Sequence, residues 1–208
     1  MSDFSYKTQQ PPNNVDALPG FLSQELERIE AHLAQLDLSE NPRWESLTIP
    51  AHAMKAGATA VPDFGVITGV LQTYLFDSTA QESLHFSAVI PRGYREESSL
   101  KPYVNWCPTT TSSGSVKFEL VYAWADTGSA LASLTLTAAQ SVSLSYAPTV
   151  TALGTIAGAG RHIGSVLIGR LSRLSSDVSD TYSYDVGVIA LELRYERDAD
   201  GSRRETIK

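Results

Sequence analysis

Apolar side chains recur at every second position through most of this chain, from about Ser46 to near the C-terminus. The pattern is clearest over residues 116–124, where the alternating set is Val116, Phe118, Leu120, Tyr122 and Trp124. The same period recurs over 84–90, 134–137 and 189–195. Because successive side chains of a strand point to opposite faces of a sheet, this period predicts half-buried antiparallel strands.

Further strands are predicted over residues 66–76, 103–107, 142–146 and 166–174. Turn-forming Gly, Pro, Asp and Ser residues separate them, and no segment of helical period lies between them. In the last strand, the alternation predicts one shared face for Ile189, Leu191, Leu193 and Tyr195. About eight short strands of this kind predict a mainly β fold, an antiparallel β-sandwich of jelly-roll type. We assign this sandwich domain to residues 41–208.

One helix is predicted ahead of the strands, over residues 19–40. Its apolar residues follow spacings of four, three, four and three, which is a coiled-coil seam in d-a-d-a-d register: Leu22, Leu26, Ile29, Leu33 and Leu36. Leucine at the a positions, with Ile29 at one d position, disfavours a two-stranded coil. Two interpretations stay open, since the helix either packs against its own sandwich or joins copies of the chain into a short bundle.

The leader, residues 1–18, is polar and interrupted by Pro11 and Pro12. Such a segment buries too little apolar area to offset the entropy of ordering, so we expect it to be flexible when free. A flexible end is either dispensable or becomes ordered on a partner.

Charge and composition exclude several classes of partner. The formal net charge is −7 and the pI is near 5.1, which disfavours binding to nucleic-acid phosphates or to anionic membranes. No run of about 18 apolar residues occurs, and the N-terminus lacks the layout of a signal peptide. The single cysteine, Cys107, cannot form an intrachain disulfide. We therefore expect a soluble protein made in a cytoplasm, with neither nucleic acid nor membrane as a partner.

No motif in the chain predicts catalysis, a metal site or a cofactor. The four histidines form no closely spaced metal-binding pair: His32, His52, His85 and His162. Cys107 is expected to fill the core, and the glycines of 154–164 are followed by a strand-like segment where a nucleotide loop requires a helix. Asp177, Asp180 and Asp185 offer oxygen ligands to a hard cation, although their spacing is not that of an EF-hand. We expect no enzyme, with a calcium site in this acidic loop as an alternative.

Four aromatic residues fall in segments predicted as loops or linkers: Trp44, Tyr94, Tyr182 and Tyr184. The flat, apolar face of an aromatic ring is suited to stacking on a sugar ring. Tyrosines at the edge of a subunit interface give the same pattern, so both interpretations stay open. Tyr182 and Tyr184 are the predicted glycan contacts.

Three segments carry a family resemblance. The first is 85–97, HFSAVIPRGYREE, followed by 102–108, PYVNWCP. The second is the end of the chain, YERDADGSRRETIK, and the third is 180–182, DTY, shortly before the last predicted strand. Together they resemble a family of structural proteins from the virions of tailed bacteriophages. Where that family often has histidines, this chain has Lys101, Tyr103 and Asn105, so a histidine metal site of relatives is not implied here. Segment 18–26, LPGFLSQEL, is similar to the anchor helices that begin many phage fibres and spikes.

The resemblance implies a virion protein assembled in the host cytoplasm. We interpret the chain as a homotrimeric spike or fibre, with its N-terminus attached to capsid, portal, neck or tail proteins and its sandwich projecting outward. The predicted anchor residues are Phe4, Tyr6, Leu18 and Phe21, and the five seam residues form the trimer contact. Two alternatives are a capsid decoration (cement) protein and a receptor-binding module for host-surface polysaccharide.

Overall fold

The computed structural model describes residues 9–36, 43–142 and 146–199. It contains one α-helix, α1 (Leu18–Leu36), preceded by a 3-10 turn at Val15–Ala17, and a second 3-10 turn at Ala51–Ala53. The described strands are β1 (Arg43–Pro50), β2 (Lys55–Ala56), β3 (Asp63–Thr68), β4 (Leu71–Phe76), β5 (Ser83–Val89), β6 (Lys101–Pro108), β7 (Ser115–Ala125), β8 (Ser133–Ser141), β9 (Thr149–Ala152), β10 (Val166–Arg173) and β11 (Val186–Arg197).

These strands form two antiparallel sheets. The first sheet has the order β3-β4-β11-β6-β9, with β1 also paired to β11, and the second has the order β2-β5-β10-β7-β8. The long strand β11 holds the first sheet together, because it pairs with β4 near its start, with β1 toward its end and with β6 along most of its length. The predicted mainly β, sandwich-like fold is confirmed.

The core lies between the sheets and follows the alternation of the sequence. Every member of the predicted apolar set of β7 is buried, from Val116 to Trp124. Trp106 of β6 lies against Phe118 of β7 with ring centroids 5.7 Å apart, so the two sheets are joined by aromatic packing. The indole N–H of Trp106 donates to Thr151 Oγ1 at 2.8 Å, which satisfies the one polar atom of that ring.

A β-bulge changes the alternation in β11. The pairing with β6 shifts register between Val188 and Ala190, so Ile189 is exposed while Val188 and Leu191 are both buried. The prediction that Ile189 shares a face with Leu191 is therefore wrong. A bulge adds one residue to one strand only, and it moves every earlier side chain to the other face.

Two predicted strands differ in the structure. Segment 66–76 is a hairpin rather than one strand, because Gly69 has a φ of +57° and a turn at 69–70 separates β3 from β4. The prediction of a strand at 142–146 is also wrong for its two end residues, which are the ones that the structure describes. Val142 lies just beyond β8, Tyr146 lies in a turn, and 143–145 are outside the described residues.

Helix α1 begins one residue before the predicted start, and its predicted residues 37–40 fall outside the described residues. Among the described elements, α1 contacts mainly the 3-10 turn that precedes it, and no described strand packs extensively against it. Leu22, Leu26 and Leu33 are exposed on this helix. In the described ranges, no helix combines the length and apolar character needed to cross a membrane.

Candidate functional site

The structure separates the two tyrosines predicted to contact a glycan. Tyr182 is 1% exposed, and its hydroxyl oxygen lies 3.0 Å from both the backbone N and Oγ1 of Thr110. The prediction that Tyr182 contacts a glycan is wrong, because neither ring face is open to a ligand. Tyr184 is 46% exposed and stays a candidate. Tyr94, expected in an exposed loop, is also buried, and its ring packs against Trp124.

Trp44 is the predicted surface aromatic that lies on a sheet. It belongs to β1 rather than to a linker, and its side chain remains 56% exposed. In β1 the inner positions are Leu47 and Ile49, which pair with Leu191 and Leu193 of the core, so Trp44 points outward. Trp44 pairs with Glu196 near the end of β11, whereas Tyr184 precedes the start of that strand. At about 3.3 Å per residue, roughly 30 Å or more separates the two aromatics.

Side chains from β11 and β6 continue this outer face beside Trp44. Glu192 is held by two neighbours, accepting from Ser46 Oγ at 2.6 Å and from a guanidinium nitrogen of Arg194 at 3.0 Å. The guanidinium carbon of Arg194 also lies 4.1 Å from the centroid of the Tyr103 ring. A guanidinium stacked on an aromatic ring and bonded to a carboxylate has little freedom to rotate. These contacts fix the direction of the donors and acceptors next to Trp44.

Lys101 completes what we call the Trp44 face, defined as Trp44, Lys101, Tyr103, Glu192 and Arg194. The Lys101 ammonium donates to Thr155 Oγ1 at 2.7 Å. A cavity of about 450 Å³ lies over this face and is lined by Trp44, Lys101, Tyr103, Gly154, Thr155 and Arg194. A neighbouring cavity of about 640 Å³ shares Trp44 and Lys101 and extends to the loop of residues 95–99.

The charges of this face follow from its contacts. The hydrogen bond from Arg194 lowers the pKa of the Glu192 carboxyl below its usual value, and the bond from Ser46 acts in the same direction. The hydrogen bond to Glu192 in turn raises the pKa of the Arg194 guanidinium. Both groups are therefore ionised at neutral pH. The face presents an apolar indole, a fixed ion pair and an ammonium group bonded to a neutral hydroxyl.

An apolar ring beside oriented donors and acceptors is suited to a polyhydroxylated ligand. The C–H face of a sugar ring packs on an aromatic plane, while its hydroxyls both donate and accept hydrogen bonds. Sequence reasoning singled out Trp44 but missed Tyr103, Glu192 and Arg194 as its neighbours. The outward alternation of β11 was the available signal. The missing information was the pairing of β1 with β11, two strands about 150 positions apart in sequence.

The predicted oligomerisation and anchor residues stay predictions. Leu22, Leu26 and Leu33 are exposed, and Ile29 is half-buried. Leu36 lies in α1, but its side chain is outside the described residues. Of the anchor residues, Leu18 is exposed and Phe21 is half-buried, both in the first turn of α1. Phe4 and Tyr6 lie outside the described residues.

The acidic loop is the alternative calcium site that the sequence offers. Its carboxylates Asp177 and Asp180 instead accept hydrogen bonds from side chains of the protein. Asp177 accepts from Lys117 Nζ at 2.7 Å, and Asp180 accepts from Arg173 through both oxygens. Across the described ranges, no three or more His, Cys, Asp or Glu side chains lie together as metal ligands. Cys107 is buried, as expected, and burial raises the pKa of its thiol.

Comparison with known proteins gives only weak likenesses. No protein-family model matches the chain, and no curated protein matches it. A solved structure of the carbohydrate-binding module CBM36 in complex with calcium and xylotriose is similar, with a TM-score of 0.39, 20% identity, and coverage of 71% of this chain and 98% of that chain. TmCBM61 with β-1,4-galactotriose gives a TM-score of 0.33, 11% identity, and coverage of 78% and 93%.

A third solved structure is the enzymatically active domain of bacteriophage CBA120 tailspike protein 4. Its TM-score is 0.32 at 8% identity, over 74% of this chain and 19% of that chain. TM-scores below 0.5 establish neither a ligand nor a role for this chain.

Proposed function

We propose that this chain is a non-catalytic glycan-binding β-sandwich, and that its ligand lies on the Trp44 face. The observation that carries this proposal is Trp44 itself, a 56% exposed indole on a regular strand beside side chains whose positions are fixed. An exposed indole beside oriented polar groups offers a sugar both a stacking plane and hydrogen-bond partners. Hydrogen-bonding groups that are already oriented lose little entropy when they bind.

The contacts assign a role to each residue of the face. Trp44 provides the stacking plane for one sugar ring. Lys101 and Arg194 donate hydrogen bonds to ring hydroxyls, and Glu192 holds Arg194 in place through their ion pair. Tyr103 positions Arg194 through the stacked guanidinium. The cavity of about 450 Å³ is large enough for a short stretch of a polysaccharide chain and lies within the range of small-molecule sites.

The test measures binding to purified host-surface polysaccharides by glycan array and calorimetry. We expect Trp44→Ala to lose about 2 kcal/mol, roughly 30-fold in Kd, because a central aromatic contact is a hot spot. Trp44→Phe keeps a smaller ring and should lose less. Phe64→Ala is the matched control, since it removes an aromatic side chain that is also 56% exposed but does not line the cavity over the Trp44 face. No glycan signal, or equal binding by wild type and Trp44→Ala, would contradict the proposal. Release of reducing sugar during incubation would instead indicate an enzyme.

A second proposal concerns where this module is displayed. We infer that α1 joins three copies through a short coiled coil and that the leader attaches the trimer to a phage particle. The exposure of Leu22, Leu26 and Leu33 on one helix supports the coil, because such a stripe is stabilised by burial between copies. The strand orders β4-β11-β6-β9 and β5-β10-β7-β8 support the jelly-roll assignment of the sandwich.

Light scattering tests the trimer. The wild-type chain should scatter as a trimer, and Leu26→Asp/Ile29→Asp should give a monomer because it places charges in the seam. Gln24→Asp/Ala31→Asp is the matched control, since it adds the same charge to the same helix at f positions outside the seam. A monomeric wild type, or a trimeric seam variant, removes the coil from the proposal.

Copy number distinguishes the positions on a particle. Densitometry of purified virions should show at most a few tens of copies for a neck or tail spike, whereas hundreds of copies would indicate a capsid cement protein. Absence of the chain from purified virions would contradict a virion location.

A further inference from the structure

The outer face of the second sheet carries a cavity of about 450 Å³ on the opposite side of the sandwich from Trp44. The residues that line it come from β5, β10 and the loops beside them: Gly57, Ala58, Thr59, Ala60, Gln81, Ser83, His85, Arg170 and Ser172. The register pairs Arg170 with His85 and Ser172 with Ser83, so these four side chains lie in two adjacent rows. We call this site the Arg170 cavity.

Two polar atoms of this cavity have no hydrogen-bond partner within the described residues. Ser172 is 0% exposed, and its Oγ is unpaired. The Nε of Arg170 is also buried and unpaired, although a terminal nitrogen of the same guanidinium donates to Glu119 Oε1 at 3.2 Å. Leaving a buried donor unsatisfied costs about 1–3 kcal/mol, so such groups are rare in native proteins and require an explanation. Two of them on one cavity wall indicate a ligand that accepts hydrogen bonds.

The chemistry of the lining defines that ligand further. Each polar side chain of the Arg170 cavity can donate a hydrogen bond, and none is a carboxylate. Lys55 of β2 pairs with His85 of β5, which pairs with Arg170 of β10, while Glu119 of β7 pairs with Ser172 and forms an ion pair with Arg170. Directly paired residues on antiparallel strands share a face, so these three basic side chains form one row. Arginine is the side chain best suited to recognising an oxyanion.

We propose that the Arg170 cavity is a second binding site, for a small acidic molecule that presents an oxyanion to Arg170 and Ser172. The oxygen atoms accept from Arg170 Nε and Ser172 Oγ, and Glu119 holds the guanidinium from its other side. The volume exceeds that of an inorganic ion, so the site accommodates the body of a larger molecule behind its acidic group. This site is independent of the Trp44 face, and its failure would leave the glycan proposal untouched.

The test titrates sodium sulfate, sodium phosphate and sodium acetate into the 208-residue chain, at constant ionic strength set with sodium chloride. Amide shifts of Ser83, Arg170 and Ser172 report binding in NMR spectra. At least one anion should move these amides with a saturable Kd, and the comparison distinguishes a tetrahedral oxyanion from a carboxylate. We expect Ser172→Ala to weaken binding about threefold or more and Arg170→Lys about tenfold or more, since lysine keeps the positive charge but lacks the Nε donor and the planar guanidinium.

Arg95→Lys is the matched control, because Arg95 makes an exposed ion pair near the first sheet and should leave the Kd unchanged. Circular dichroism checks that each variant is folded, and Ser172→Ala decides the outcome if Arg170→Lys unfolds. The proposal is overturned if no anion moves these amides more than chloride does. It is also overturned if Ser172→Ala and Arg170→Lys both bind like the wild type.

Discussion

Arg173 is a buried cation in an ion pair with Asp180, and Arg173→Met tests how much this buried pair contributes to the free energy of unfolding. Its side chain is 0% exposed and that of Asp180 is 1% exposed. The guanidinium donates to both carboxylate oxygens of Asp180, at 2.8 and 2.9 Å, and to the Tyr184 carbonyl at 2.8 Å. It also donates to the carbonyls of Phe76 and Tyr182. Arg173 thus fastens the loop that leads into β11 onto the end of β10.

The magnitude follows from what the substitution leaves behind. Methionine fills similar space, but Asp180 keeps a buried negative charge with the Lys117 backbone N–H as its remaining short contact. Removing one partner of a buried ion pair costs about 3–5 kcal/mol. Total stability of a domain is about 5–15 kcal/mol, so the loss is a large fraction of it. At about 2–4 °C per kcal/mol for a chain of this size, Tm should fall by about 6–20 °C.

Urea unfolding followed by tryptophan fluorescence measures this loss. Arg95→Met is the matched control, because its ion pair with Glu196 has the same 2.8 Å separation but side-chain exposures of 45% and 28%. That exposed pair should contribute only about 0.2–1 kcal/mol. Asp180→Asn alone should also lower the free energy of unfolding. Because the two residues interact, the double variant Arg173→Met/Asp180→Asn should be destabilised by at least about 1 kcal/mol less than the sum of the two single variants. Equal losses in Arg173→Met and Arg95→Met would refute the reasoning from burial.

Three further predictions concern other parts of the sandwich. Thr151→Val should lower the free energy of unfolding by about 1–3 kcal/mol, because the buried Trp106 N–H loses its acceptor; chemical denaturation measures the loss, and a neutral result would contradict it. Burial raises the pKa of Tyr94 from 10.0 to about 12, so its contribution to stability is complete below pH 10 and is lost as the pH rises to about 12. Between pH 10 and 12, ionisation of Tyr94 should lower the free energy of unfolding by about 1.4 kcal/mol per pH unit. In alkaline denaturation, the free energy of unfolding of Tyr94→Phe should therefore fall less steeply with pH than that of the wild type. Gly158→Ala should lower the free energy of unfolding by about 1–3 kcal/mol or more, because a Cβ would overlap the Ser98 carbonyl oxygen. Thermal unfolding measures the loss, and an unchanged Tm would contradict the prediction by showing that the loop can move to make room.

Most of the architecture could be predicted from local pattern. The alternation in β7, β10 and most of β11 corresponds to strands with a buried face, because one face of each strand must meet a core whatever its partner is. The bulge at Ile189 could not be predicted, since an extra residue is determined by how β11 fits against β6. The hairpin at Gly69 is likewise hidden in the pattern, because apolar residues continue on both sides of the turn and predict one strand.

The sites depend on contacts that local pattern does not contain. Tyr182 and Tyr184 look alike in sequence, yet Arg173 and Thr110 bury the first and leave the second exposed. The sequence shows no closely spaced partner for His85, whereas strand pairing places it between Lys55 and Arg170. Local pattern is sufficient to predict that these strands form and which face of most of them is apolar. Which polar side chains meet depends on the tertiary fold, because strand pairing joins residues far apart in the chain.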